Sequence, residues 1–199
     1  YRRELPADLF QLHPTNRGVA LYGDRVYIAT VDAFLVALDA RSGAVIWEKP
    51  VENYLAGYYM TMAPLVVEGR VMVGVSGGEF GVRGFIQAFD ATSGESLWKT
   101  FTVPGPGEPG HDSWPGETWK KGGVPVWITG SYDAETKLAY WGTGNAGPWM
   151  GDQRAGGRVA VEGSGAGPQL QGPVAPREAG RCIGQQFGIK ADLVAVEAV

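Results

Sequence analysis

Apolar residues along the chain come in short runs of four to six, each ended by a glycine- or aspartate-bearing turn. Val19-Ala20-Leu21-Tyr22 and Val26-Tyr27-Ile28-Ala29-Thr30 flank the turn Gly23-Asp24, which predicts a β-hairpin. Phe34-Leu35-Val36-Ala37-Leu38 and Ala44-Val45-Ile46-Trp47-Glu48 predict two more strands around a turn at 39–43. The pattern then repeats as 64–67, 71–75, 84–89 and 96–99. A third unit starts with a strand at 126–129, turns through Asp133-Ala134-Glu135-Thr136 and returns at 138–143.

The second half of each complete unit is nearly the same sentence. Residues 37–47 and 88–98 share A-x-D-A-x-S-G-x-x-x-W, so Asp39 and Asp90, like Trp47 and Trp98, are 51 residues apart. A repeat of this length made of strand-forming residues predicts an all-β array of four-stranded blades. The blades are expected near 16–51, 61–103 and 122–150. In the repeat, aspartate can accept N–H bonds within its own turn, and glycine supplies the positive φ that ends it. Tryptophan brings a large apolar face and one N–H donor to the outer strand, where it could wedge against the next blade. Function in such an array sits where blades meet around a central channel.

Composition narrows the function classes. The 199 residues carry a formal net charge of -4 and an isoelectric point near 5.2, with no basic stripe for nucleic acid. No apolar run approaches the ~18 residues of a membrane span. The chain opens on Tyr1, which reads as a missing or removed N-terminus, so the absence of a signal peptide says little about export. Cys182 is the single cysteine, which excludes an internal disulfide and a cysteine-rich metal site. Residues 101–124, rich in Pro, Gly and Trp, are long for a connection and predict an ordered cover. After Arg154 the aromatic residues give out, apart from Phe187, and 155–180 is dominated by Gly, Ala, Pro and Gln. The tail 155–199 is therefore expected to lie outside the blades, as a linker, a degenerate end or the product of a shifted reading frame.

Several segments between the repeats resemble the pyrroloquinoline-quinone (PQQ) dependent alcohol and methanol dehydrogenases. They are 16–20 (NRGVA), 61–65 (TMAPL), 76–85 (SGGEFGVRGF), 122–127 (GGVPVW) and 142–149 (GTGNAGPW). The resemblance spans roughly residues 12–154 and implies a partial β-propeller with tryptophan-docking repeats, about three of eight blades. It implies that Glu79 and Asn145, hard oxygen donors, bind a calcium or lanthanide ion that also touches the quinone. It implies that Arg17 pairs with a PQQ carboxylate, that Thr61 and Ser76, with Gly77 and Gly78 beside them, contact the cofactor, and that Trp127 is the floor under its rings. Taken singly, Glu79 is equally a solvated turn carboxylate, Asn145 a turn asparagine, Arg17 a surface arginine and Trp127 a core tryptophan. Arg83 and His13 read as structural.

The departures from the family pattern are specific. Gln11 and Leu12 stand where many members have adjacent cysteines, and Pro125 replaces a threonine two residues before the floor tryptophan. The family's catalytic aspartate lies downstream of the Asn145 segment; nothing in 155–199 matches it, and Asp192 has the wrong context. No haem-attachment motif is present. The expected function is a fragment of a periplasmic dehydrogenase that oxidises a primary alcohol to an aldehyde with metal-bound PQQ as hydride acceptor. Its expected partners are a small alcohol and an electron acceptor such as cytochrome c or a membrane quinone. On its own the fragment, which contains no catalytic residue, is expected to be inactive. The alternative is a non-catalytic propeller scaffold of the outer-membrane assembly type, which would need the docking repeat but not Glu79, Asn145 and Trp127 together.

Overall fold

The repeat folds as the alternation predicts. The computed structural model describes residues 1–10, 12–148, 181–183 and 193–197. The first sheet contains β1 (Ala20–Tyr22), β2 (Arg25–Ala29), β3 (Phe34–Asp39) and β4 (Val45–Pro50), antiparallel and in chain order. The second contains β5 (Leu65–Val67), β6 (Arg70–Gly74), β7 (Phe85–Asp90) and β8 (Ser96–Phe101) in the same order. No helix among the described residues is long and apolar enough to cross a membrane.

Each repeat turn is held as its residues dictate. Asp39 Oδ1 accepts from the Ser42 N–H at 2.7 Å and the Arg41 N–H at 3.1 Å, and Asp90 Oδ1 does the same for Ser93 and Thr92 at 2.7 and 2.9 Å. Gly43 and Gly94 close the turns at φ 72° and 71°, where a Cβ would be strained. A β-bulge follows at the same place in both blades: Ala37 pairs with Trp47 but Leu38 with Val45, and Ala88 pairs with Trp98 but Phe89 with Ser96. The skipped residues, Ile46 and Leu97, are pushed outward and exposed. The bulge adds local twist and re-aims the tryptophan after it.

The blades stack through two apolar layers. Tyr27, Leu35 and Trp47 of the first blade meet Val71, Val73, Phe85 and Phe89 of the second, with Met60 and Met62 filling the seam. On its other face the second blade packs Met72, Ile86 and Ala88 against Val126, Ala139 and Trp141. Burying a side chain of this size contributes roughly 1.5–3 kcal/mol. The insertion after β8 is ordered around Trp114, which packs with Val103 and Val124.

The third blade differs from expectation in two ways. Residues 126–129 have strand-forming side chains but make no ladder; the first strand is β9 (Ser131–Asp133), paired with β10 (Leu138–Gly142). Val126 packs instead among Met72, Ile86 and Ala88 of the second blade, and the Trp127 carbonyl accepts from the Thr61 hydroxyl. Second, part of the tail expected outside the blades joins the sheet. β12 (Leu193–Glu197) pairs with β10, and β11 (Arg181–Ile183) pairs with β12, giving the order β11-β12-β10-β9. Leu138 pairs with Glu197 and Ala139 with Val196, as Arg25 pairs with Asp39 and Val26 with Leu38. Glu197 thus holds the register position of Asp39 and Asp90. Residues 195–198 read Ala-Val-Glu-Ala, a shortened copy of Ala-x-Asp-Ala that the Gly- and Pro-rich composition of the whole tail obscured. Gln11, Asp192 and residues 149–180 lie outside the described residues.

Candidate cofactor and metal site

Antiparallel order puts the start of β5 and the end of β6 at one end of the sheet, and the same holds for β1 with β2 and β9 with β10. The residues singled out in the sequence sit on the segments at that end. Arg17 precedes β1, Thr61 precedes β5, Ser76 to Glu79 follow β6, Trp127 precedes β9, and Asn145 follows β10.

Direct contacts join four of them. The Arg17 guanidinium lies over the Trp127 ring, 4.9 Å from its centroid, and donates to the Thr61 carbonyl at 3.3 Å. The Thr61 hydroxyl donates to the Trp127 carbonyl at 3.0 Å and lies 3.3 Å from the Ser76 hydroxyl. Thr61 and Ser76 are buried, whereas Trp127 keeps 40% of its surface open, much for so large an apolar side chain. Pro125 completes the ring of contacts. Its ring sits so close to Gly78 that a Cβ there would lie 2.8 Å from Pro125 Cδ, and a Cβ on Gly144 would lie 2.9 Å from Pro125 Cγ. Pro125 therefore does more than remove a hydroxyl: it is the spacer between the Glu79 turn and the Asn145 turn.

Glu79 stands in a short 3-10 turn, Gly78–Phe80, bounded by Gly77 and Gly81, both with positive φ. Its side chain is exposed. Asn145 is exposed as well, while its backbone carbonyl accepts from the Val124 N–H at 2.9 Å. That bond belongs to a three-segment junction centred on Gly123. Gly123 donates to the Val82 carbonyl at 2.9 Å, its own carbonyl accepts from Gly84 at 2.8 Å, and it forms bridges to Arg83 and Ala146. At φ 68°, with a hypothetical Cβ 2.7 Å from the Gly147 nitrogen, the position admits only glycine without strain.

Sequence reasoning missed Tyr59. It is nearly fully buried, bridges to Ser76 through the backbone and packs its ring 6.0 Å from that of Phe80. Burial pushes its phenol above the ordinary value, the Glu79 charge pushes the same way, and Arg17 opposes both. The available signal was its spacing of two from Thr61, which puts both on one face of an extended segment. Phe10 also packs on Phe80, at 5.4 Å, so the segment before Leu12 reaches the back of the Glu79 turn. His13 is exposed. Among the described residues no cluster of three or more His, Cys, Asp or Glu is placed to hold a metal by itself.

Residues 6–161 match the family model described as glucose/ethanol/alcohol dehydrogenase, β-propeller domain. The chain is 45% identical over 158 residues to quinoprotein alcohol dehydrogenase PedH of Pseudomonas putida, covering 71% of this chain and 26% of that protein. It is 39% identical to the lanthanide-dependent methanol dehydrogenase of Methylacidiphilum fumariolicum, with 71% and 26% covered. Among solved structures, a europium-containing methanol dehydrogenase superposes with a TM-score of 0.67 at 39% identity, over 72% of this chain and 28% of that one. The chain thus spans about a quarter of the length of these relatives.

Proposed function

The chain belongs to the glucose/ethanol/alcohol dehydrogenase β-propeller family, and on that premise we propose that its site holds one side of PQQ and of a calcium or lanthanide ion in an enzyme oxidising primary alcohols to aldehydes. The observation that carries the reading is the joining of Arg17, Thr61, Ser76 and Trp127, distant in sequence, around one open indole face. A non-catalytic scaffold needs the docking repeat but not Glu79, Asn145 and Trp127 together.

The residues fit the group in kind. A flat tricarboxylated quinone requires an apolar stacking face, a cation and hydroxyl donors, and Trp127, Arg17, Thr61 and Ser76 are these. The Thr61 proton is committed to the Trp127 carbonyl, so Ser76 holds the proton that can be turned toward a ligand. Gly77 and Gly78 let backbone approach where a side chain would intrude. Glu79 and Asn145 offer the oxygens a hard cation prefers, though two side chains fall short of the 6–8 ligands of calcium, so quinone and further donors complete the shell. When bound, PQQ accepts the two electrons lost by the alcohol.

Of the gathered residues only Glu79 carries a carboxylate, and a carboxylate holding a cation is not free to take the alcohol's proton. We therefore assign the catalytic base to none of them and infer that these residues alone bind but do not turn over alcohol. The working enzyme would pass electrons to a cytochrome c or a membrane quinone, in a periplasmic setting. The test is a PQQ titration of the 199-residue chain followed by tryptophan emission. Saturable quenching that Trp127→Leu removes and Arg17→Leu weakens is the expected result. Quenching of the same size and midpoint in the Trp127→Leu variant would overturn the site.

A further inference from the structure

Arg83 lies four residues after Glu79, and its side chain is far more engaged than a turn arginine needs to be. Its Nε and Nη2 both donate to the Val103 carbonyl, at 2.8 and 2.6 Å. The guanidinium lies over the Phe101 ring, 3.8 Å from its centroid, and over the Trp119 ring, 4.8 Å from its centroid. Glu108 adds an ion pair at 3.4 Å, and only 12% of the side chain is exposed. One side chain thus joins the Glu79 turn to both ends of the insertion, Phe101 to Val103 where it leaves β8 and Trp119 where it returns. Backbone bonds at the same residue do the rest. The Tyr58 hydroxyl donates to the Arg83 carbonyl at 3.2 Å, and Val82 and Gly84 pair with Gly123, which carries the chain on to Asn145 and Trp127.

We propose that Arg83 is a positioning residue for the cation pair Glu79 and Asn145. By anchoring the insertion to the Glu79 turn it fixes the Gly123 junction, and through that junction the spacing of two oxygen donors that come from different blades. The inference rests on the reading of Glu79 and Asn145 as cation-facing donors. Lysine keeps the charge but cannot donate twice to one carbonyl in a fixed plane or lay a flat cation on the two rings, so Arg83→Lys removes the anchor without removing the cation.

The test is a terbium(III) titration of the full chain, read by luminescence sensitised by tryptophan, with melting temperature measured on each sample. Glu79→Gln is the control that identifies the site, and its terbium signal is expected to disappear. Arg83→Lys and Arg83→Met are expected to weaken terbium binding on the order of tenfold or more, as loss of an outer support does. Arg83→Lys is expected to keep a melting transition and a near-ultraviolet circular dichroism spectrum like the parent's. Parent-like terbium affinity in Arg83→Lys would overturn the role of Arg83 while leaving the cation site standing. If the unmodified chain binds no terbium that Glu79→Gln abolishes, the site itself and the inference built on it both fall.

Discussion

The Trp47 indole N–H donates to the carbonyl of Ala91 in the next blade at 3.3 Å. The same carbonyl accepts from the Tyr27 hydroxyl at 2.9 Å and from Arg25 at 2.8 Å, so three side chains of one blade converge on one atom of its neighbour. The docking tryptophan is therefore one part of a shared clasp.

This arrangement separates two variants. Trp47→Phe removes a donor but leaves the Ala91 oxygen with two others, so the loss is that of one net hydrogen bond, about 1 kcal/mol. Trp47→Ala also opens the seam beside Gly94 and costs roughly 3–5 kcal/mol. Urea denaturation monitored by circular dichroism checks both, and equal losses for the two would refute the clasp.

Stability falls in acid partly through the repeat turns. Hydrogen bonds from the Ser42 hydroxyl and N–H hold the Asp39 carboxyl below its ordinary value, and those from Ser93 do so for Asp90. A carboxyl depressed in the folded state binds fewer protons there than in the unfolded chain, so its stabilisation is complete above about pH 4 and fades as pH drops through the folded value. Asn at 39 and 90 keeps the acceptor oxygen without the titration. The double variant Asp39→Asn, Asp90→Asn is expected to show a flatter decline of melting temperature from pH 5 to pH 2 than the parent. Parallel curves would show that other groups govern the acid limb.

Thr61→Val tests how Trp127 is held. The variant leaves the Trp127 carbonyl without its Thr61 donor and exchanges a hydroxyl for a methyl beside Ser76. Stability should fall by about 1–3 kcal/mol, the cost of an orphaned acceptor. Weaker PQQ-dependent quenching should accompany it if the floor shifts. Unchanged stability and unchanged quenching would mean that the hydroxyl positions nothing.

Gly123→Ala strikes the junction between the Glu79 and Asn145 turns. Its φ of 68° and the nearby Gly147 nitrogen leave no room for a methyl group, and backbone strain alone costs roughly 1–3 kcal/mol. The near-ultraviolet signal of Trp114 and Trp119 should change, because the insertion ends at this point. An alanine variant with parent stability and spectrum would show that the junction yields freely.

The eight strands of the first two blades were legible because each carries a local signal: alternation within the strand, aspartate and glycine at the turn, and a second copy 51 residues on to confirm it. The site residues were legible only through flanking segments, since a lone Glu79 or Asn145 in a glycine-rich turn has no distinguishing local chemistry. The strand expected at 126–129 failed for a physical reason. Val126, Trp127 and Ile128 have the side chains of a strand, but the Trp127 carbonyl is taken by the Thr61 hydroxyl, and Val126 fills the seam beside Gly74. Those contacts come from another blade and leave no trace in the segment itself.

The sequence by itself determined the all-β repeat, its turns and the types of donor available to a quinone and a cation, because these depend on residues near one another in the chain. Only the tertiary structure decided that Glu197 takes the register position of Asp39 and Asp90, that Pro125 spaces the Glu79 and Asn145 turns, and that Arg83 ties the insertion to them. Each of these follows from pairing or packing between distant segments, whose free energy exists only once the blades have stacked.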